Sequence, residues 1–371
     1  MTQLRLAVVG TGHLGRIHAR IAAASDAIDL LSVVDSRSSA AQEVAEETGA
    51  EPLTDYRELF GKVDAAIVDT PTKSHAQVAG DLLRGGLHLL VEKPLTATTE
   101  EAQQLVELAD RQQQVLQVGH VERFNPALTA VRDRLHGPKF IEACRTSSYT
   151  FRSTDVGVVM DLMIHDIDAI LSLVRSPVEQ VDAVGFSVLG EFEDLASVRL
   201  RFASGCVAQL AASRVSYTPQ RTLHVYTDDC FAAIDFATRQ TELVEPRQDV
   251  LQRDFRVADL SSGQQQQLRE NLFSELLVKT ALPITDVNAI EQEQLDFASA
   301  IDLGVEPQVS GADGRDAVEV AERILDEIAK HGWDGLESSR RGPLAMPESS
   351  VISELDRWSI DDTVVLRRKA G

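Results

Sequence analysis

The chain is poor in cysteine. Cys144, Cys206 and Cys230 are widely spaced and odd in number, which argues against a disulfide frame or a zinc site and for reduced thiols in a cytoplasmic protein. Their simplest role is as small buried apolar residues. Basic residues are also scarce: 36 Lys and Arg against 58 Asp and Glu give a formal net charge of -22. That imbalance excludes nucleic acid and anionic membranes as general partners, though a small anionic ligand needs only a local basic pocket. No apolar run reaches membrane-spanning length. The first one, Leu4 to Val9, is too short for a signal peptide and runs straight into glycines. No solenoid-type repeat is present.

What remains is ordinary for a soluble protein: 43% apolar and 25% charged residues. A length of 371 residues exceeds one ordinary core, so two domains are expected. The most informative stretch is Val91-Glu92-Lys93-Pro94. It closes an apolar run, Leu87 to Val91, that reads as a buried strand. Proline stops the strand, and an X-Pro bond can be cis at modest cost, giving a fixed turn. Such a turn holds the Lys93 ammonium at the strand's carboxyl end, where open α/β sheets bind ligands. Alone, the lysine reads as a solvated strand end.

The first third supplies the context. Leu4 to Val9 reads as a buried strand, Gly10-Thr11-Gly12-His13-Leu14-Gly15 follows, and Arg16 to Ala24 reads as a helix. This is G-x-G-x-x-G with the strand before and the helix after that it requires. The glycines serve a tight turn, close approach to a pyrophosphate, and helix–strand packing, and the helix N-terminus favours the phosphate charge. A second strand, Asp29 to Val34, ends at Asp35. An acid there accepts from ribose hydroxyls and disfavours a 2′-phosphate, so NAD is expected over NADP. Arg37 is placed to stack on adenine or to hold a 2′-phosphate. Strand Ala65 to Asp69 runs into Thr70, Pro71 and His75, which are expected to line the cofactor cleft together with Glu92. Repeated βα units continue to Gly119 and imply a doubly wound parallel sheet.

After Gly119 the pattern changes. Helix Ala127 to Leu135 and strand Phe140 to Phe151 are expected. Asp155 to Val174 reads as an apolar helix carrying one polar stripe: Asp161, His165 and Asp168 at i, i+4 and i+7. Such a stripe is exposed or functional. For the histidine alone, a hydrogen-bonded core residue is the simpler reading, and a metal site lacks further ligands. Strands follow: Val178 to Leu189, Ala196 to Phe202, Cys206 to Val215, Leu223 to Tyr226 and Phe231 to Phe236. Alternation in the second suggests one wet face. Leu251 to Asn271 reads as a polar loop. Asp286 to Ile301 and Asp313 to His331 read as helices. Three segments result: a Rossmann domain at 1–122, a substrate and oligomerisation α+β domain at 123–337, and a poorly ordered tail at 338–371.

Four blocks resemble the Gfo/Idh/MocA oxidoreductase family: Val9 to Gly15, Glu92-Lys93-Pro94, Asp161 to Asp168, and Val309-Ser310-Gly311-Ala312-Asp313-Gly314-Arg315. Met163 stands where the family often has glycine, which bears on local helix packing. The resemblance implies an N-terminal Rossmann fold and a C-terminal domain with a large open, mostly antiparallel sheet. It implies a nicotinamide cofactor over Lys93, hydride chemistry on a sugar or polyol, and a homodimer or homotetramer. By the same resemblance, His165 matches the catalytic histidine and Asp161 the acid one turn before it. Asp168 matches a frequent later acid that orients or caps.

Chemically, oxidation of a secondary alcohol needs a hydride acceptor, a proton acceptor and stabilisation of the alkoxide. NAD supplies the first. His165 suits the second by residue type and Lys93 the third; the reverse assignment makes Lys93 the base. Asp161 is expected to orient His165 or bind a hydroxyl. Gly119 to Pro126 resembles the family branch acting on nucleotide sugars, UDP-N-acetylglucosamine 3-dehydrogenases in particular, which places Arg123 and Asn125 against substrate. An inositol or free-sugar dehydrogenase is the enzyme alternative, and a non-catalytic NAD-binding regulator the other. No metal is expected.

Overall fold

The computed structural model describes residues 3–151, 156–333 and 341–344. Its first part alternates strands and helices: β1 (Leu4–Val9), α1 (His13–Ala23), β2 (Ile28–Val34), α2 (Ser38–Thr48), β3 (Glu51–Leu53), β4 (Ala65–Val68), α3 (Thr72–Arg84), β5 (His88–Glu92), α4 (Thr99–Gln112) and β6 (Leu116–Gly119). β1, β4 and β5 are nearly continuous apolar runs, so both faces need cover, and amphipathic helices give it. All six strands pair in parallel in the order β3-β2-β1-β4-β5-β6. The order reverses between β1 and β4. That switch point opens a crevice at the strands' carboxyl ends, flanked by the glycine loop and by Lys93.

The second part continues with α5 (Pro126–Thr129), β7 (Phe140–Thr146), α6 (Ile164–Val174), β8 (Val178–Phe186), β9 (Leu195–Phe202), β10 (Val207–Ser213), β11 (Gln220–Tyr226), β12 (Phe231–Asp235), β13 (Gln240–Pro246), α7 (Gln248–Leu251), α8 (Ser262–Glu270), β14 (Leu277–Ala281), α9 (Ala289–Leu303) and α10 (Gly311–Lys330). Eight strands form one sheet in the order β14-β13-β12-β11-β7-β10-β9-β8, antiparallel except for β7 with β10. One face packs on α6 and α10 through Ile164, Ile167, Ile170, Val318 and Ile324. Along β9, Ala196, Val198, Leu200 and Phe202 are buried while Ser197, Arg199 and Arg201 are exposed, which is the wet face that the alternation predicts.

Several expectations need correction. The helix expected over Ala127 to Leu135 is only the single turn α5 and a short 3-10 turn at Arg132–Arg134. The strand from Phe140 ends at Thr146. Regular helix begins at Ile164, after a wide π turn over Val159–Met163; Asp155 lies outside the described residues. The polar segment Leu251 to Asn271 contains α8, started by a capping box between Ser261 and Gln264. β3, β13 and β14 were not legible. Of the expected tail at 338–371, only 341–344 are described.

α9 and the start of α10 return to the first sheet. Phe297 joins Leu6, Val8 and Leu90 in its core. The Val118 amide donates to the Val309 carbonyl at 3.0 Å.

Candidate active site

The glycine loop is shaped by close contact. Gly10 has φ +101°, and a Cβ there would overlap the Asp69 carbonyl. A Cβ on Gly15 would collide with the Gly10 carbonyl oxygen. Gly12 and His13 are exposed at the start of α1 and Leu14 is half-buried, so the loop backbone is open to a ligand. Asp35 ends up beside the loop. Its Oδ2 accepts from the Thr11 amide at 3.1 Å and hydroxyl at 2.9 Å, and its Oδ1 accepts from the Arg37 amide at 2.9 Å. Burial pushes the Asp35 carboxyl up, but the Arg37 and Thr11 donors outweigh it and hold the group below its ordinary value. Arg37 pairs with Asp35 at 3.3 Å and is otherwise largely exposed. An open glycine loop with a held carboxylate beside it fits a dinucleotide.

At the end of β5 the Lys93–Pro94 peptide is cis. His75 lies between two carbonyl oxygens, Pro94 at 2.9 Å from Nδ1 and Thr70 at 2.7 Å from Nε2. It is buried, and burial lowers its pKa. The ring therefore ties the Pro71 turn to the Pro94 turn and does not face the cofactor cleft as expected. Thr70 keeps a buried hydroxyl without a partner. Glu92 also turns inward, away from its expected cofactor contact: its Oε1 lies 2.9 Å from His18 Nε2 and its Oε2 accepts from the Lys93 amide at 3.2 Å. Lys93 points the other way. Its ammonium donates to the Asp161 carbonyl at 2.8 Å and to the Asp161 carboxylate at 3.3 Å. Lys93 at the end of β5 and Asp161 on the helical stripe, 68 residues apart, thus meet.

His165 sits one turn beyond Asp161. Its Nδ1 is buried without a partner, so Asp161 engages Lys93 and does not orient the histidine as expected. Burial, then Lys93, Arg145 and His120, push the His165 pKa well below its ordinary value. The ring is neutral at pH 7 and able to take a proton. His120 packs edge-on against it, ring centroids 6.4 Å apart, and burial drives His120 down to about 3.

These features have counterparts in known proteins. Residues 4–120 match the model described as "Oxidoreductase family, NAD-binding Rossmann fold", and residues 128–231 match the GFO/IDH/MocA C-terminal domain. The UDP-N-acetylglucosamine 3-dehydrogenase of Acidithiobacillus ferrooxidans is 39% identical over 237 residues, 64% of this chain and 75% of that protein. Its solved structure superposes with a TM-score of 0.77 at 31% identity, covering 88% of this chain and 98% of that one. The NAD(+)-dependent scyllo-inositol 2-dehydrogenase of Bacillus subtilis is 29% identical over 233 residues, 58% of this chain and 68% of that protein. The chain belongs to the Gfo/Idh/MocA oxidoreductase family.

In this oxidoreductase the remaining expected residues are less free. Arg123 pairs with Asp168 at 3.0 Å and Asp313 at 3.2 Å, and lines two adjoining clefts of about 740 and 570 Å³. Burial pushes Asp168 up to about 7 against the pull of Arg123. Asn125 is spent on the fold: its amide donates to Glu122 at 2.9 Å and the Phe236 carbonyl at 3.3 Å, and its Oδ1 caps the Ala127 amide. A substrate contact through Asn125 is therefore not what this arrangement offers. Three residues escaped the sequence reading. Arg145 is buried between Asp166 at 2.7 Å and Glu122 at 2.8 Å; its inward parity with Ile141 and Ala143 on β7 was the available signal. Asp69, closing an apolar strand beside the loop, was visible as an acid in an apolar context. Glu293, buried with both oxygens unpartnered, carried no local signal.

Proposed function

We propose that this oxidoreductase oxidises a secondary hydroxyl of a sugar with NAD as acceptor. The observation that carries the reading is the meeting of Lys93, Asp161 and a neutral His165 beside the glycine-loop crevice. Bound NAD supplies the hydride acceptor. His165 takes the hydroxyl proton. Lys93 donates to the reacting oxygen and stabilises its developing charge. Asp161 keeps the ammonium aimed, and its carbonyl and carboxylate both accept from Lys93, which supports the reading of His165 as the base.

The substrate reading is a nucleotide sugar, UDP-N-acetylglucosamine oxidised to its 3-keto form. Its support is the 39% identity to a protein named for that activity and the Gly119 to Pro126 block. Arg123, which lines two clefts, is the residue proposed to meet the substrate, and Lys93, Asp161 and His165 are proposed to surround the reacting carbon. An inositol or free-sugar substrate is the second reading, supported by the inositol dehydrogenase relative.

The test is absorbance at 340 nm with NAD and a panel of UDP-sugars, inositols and free hexoses, repeated with a ketone trap. Reduction with UDP-N-acetylglucosamine alone is expected. Reduction only with inositol or hexose overturns the substrate but keeps the chemistry. Reduction with none, trap included, leaves an NAD-binding regulator.

A further inference from the structure

The Asp69 carboxylate occupies a peculiar place. It follows β4 directly, at the switch point, and its Oδ2 accepts from the Gly15 amide in the first turn of α1. The same oxygen lies 3.8 Å from where a Cβ of Gly12 would stand. An exposed glycine loop at a helix N-terminus is an anion seat, and here a carboxylate of the chain itself already faces it. Asp69 has no salt bridge among the described residues. The charged groups around it are Glu92, which opposes its ionisation, and His18 and Lys93, which favour it. His18 is committed to Glu92 at 2.9 Å and Lys93 to Asp161, so neither neutralises it directly.

We propose that Asp69 sets the affinity for the dinucleotide through its charge: ionised, it competes with the cofactor pyrophosphate for the N-terminus of α1; protonated, it yields the seat. This rests on the cofactor reading given above. Burial, with Glu92 second, pushes Asp69 up to about 7, so the competition changes across neutral pH.

The experiment is calorimetric titration with NAD from pH 5.5 to 8.5 for the wild type, Asp69→Asn and Asp69→Ala. From pH 6 to pH 8 the wild-type dissociation constant is expected to rise about tenfold, as ionisation of a group at about 7 requires. Asp69→Asn keeps the shape and the Gly15 contact but not the charge. It is expected to bind NAD tightly at pH 8 with little pH dependence, and Asp69→Ala to agree with it. A variant that keeps the wild-type pH dependence overturns the proposal. So does one that binds more weakly at every pH, which would make Asp69 a ribose acceptor. A wild type that binds no NAD at any pH sinks the cofactor reading itself, a result distinct from binding that is tight but indifferent to pH.

Discussion

Asp161 holds the Lys93 ammonium twice, through its backbone carbonyl at 2.8 Å and its carboxylate at 3.3 Å. That carbonyl belongs to the π turn at Val159–Met163, a geometry frequent at functional sites. One residue thereby fixes the lysine across the boundary between the two sheets. Asp161→Asn keeps the carbonyl contact and loses the charge. It is expected to lower kcat about a hundredfold, the scale of a small misplacement of a reacting group. NAD affinity should stay at the wild-type value; if it falls in step with kcat, Asp161 acts on the cofactor and not on Lys93.

His165→Ala removes the proposed proton acceptor, and kcat is expected to fall by about 10² to 10⁴. The pH profile is the sharper check. Because burial and the neighbouring Lys93, Arg145, His120 and Arg221 hold His165 well below its ordinary 6.5, kcat/KM for the sugar at saturating NAD should have no acid limb between pH 6.5 and 7.5. A limb centred near 6.5 that vanishes in His165→Ala would place the histidine in solvent and contradict the burial described.

Arg145 is buried between Glu122 and Asp166. Arg145→Ala leaves two carboxylates enclosed without a cation and is expected to cost about 3–5 kcal/mol of stability. Urea denaturation measures it. A loss below about 1 kcal/mol, the worth of an exposed pair, would show that water reaches the triad.

Glu293 is fully buried with both oxygens unpartnered, and burial followed by Glu92 raises its pKa well above 4.5. The folded state therefore binds a proton that the unfolded state releases above pH 4.5. Stability is fullest below that pH and falls as pH rises toward the folded pKa. Glu293→Gln is neutral throughout, so its advantage should grow with pH, by at most about 1.4 kcal/mol per unit. Thermal melting at pH 5, 6, 7 and 8 reads this directly; parallel curves for the two proteins would mean that Glu293 is solvated.

The first sheet was legible because its signals are local. G-x-G-x-x-G, Asp35 and Lys93-Pro94 each sit on a strand end, and patterned helices flank β1, β2, β4, β5 and β6, whereas the short edge strand β3 is joined to β4 only by a 3-10 turn and gave no signal. The Lys93–Asp161 meeting was reachable only through resemblance, since 68 residues separate the pair and neither carries a mark of the other. Asn125 and His75 read as available polar residues, but here the Glu122 carboxylate and nearby backbone groups engage Asn125, and the Thr70 and Pro94 carbonyls engage His75 at the start of α3. α8 was missed because a helix of SGQQQQLRE has no apolar stripe, and its only signal is the Ser261–Gln264 box.

The return of α9 to the first sheet has a consequence for synthesis. Gln294 donates to the His18 carbonyl, 276 residues earlier, and Phe297 fills the core beneath β1. A ribosome therefore releases the whole dinucleotide fold, glycine loop included, long before the helix that seals its flank exists. Until Phe297 emerges, the apolar side of β1 near Leu6 and Val8 stays partly uncovered, the kind of surface on which nascent chains recruit chaperones. Domains of this chain are thus separable on paper by function, but the first cannot complete its core until most of the second has been made.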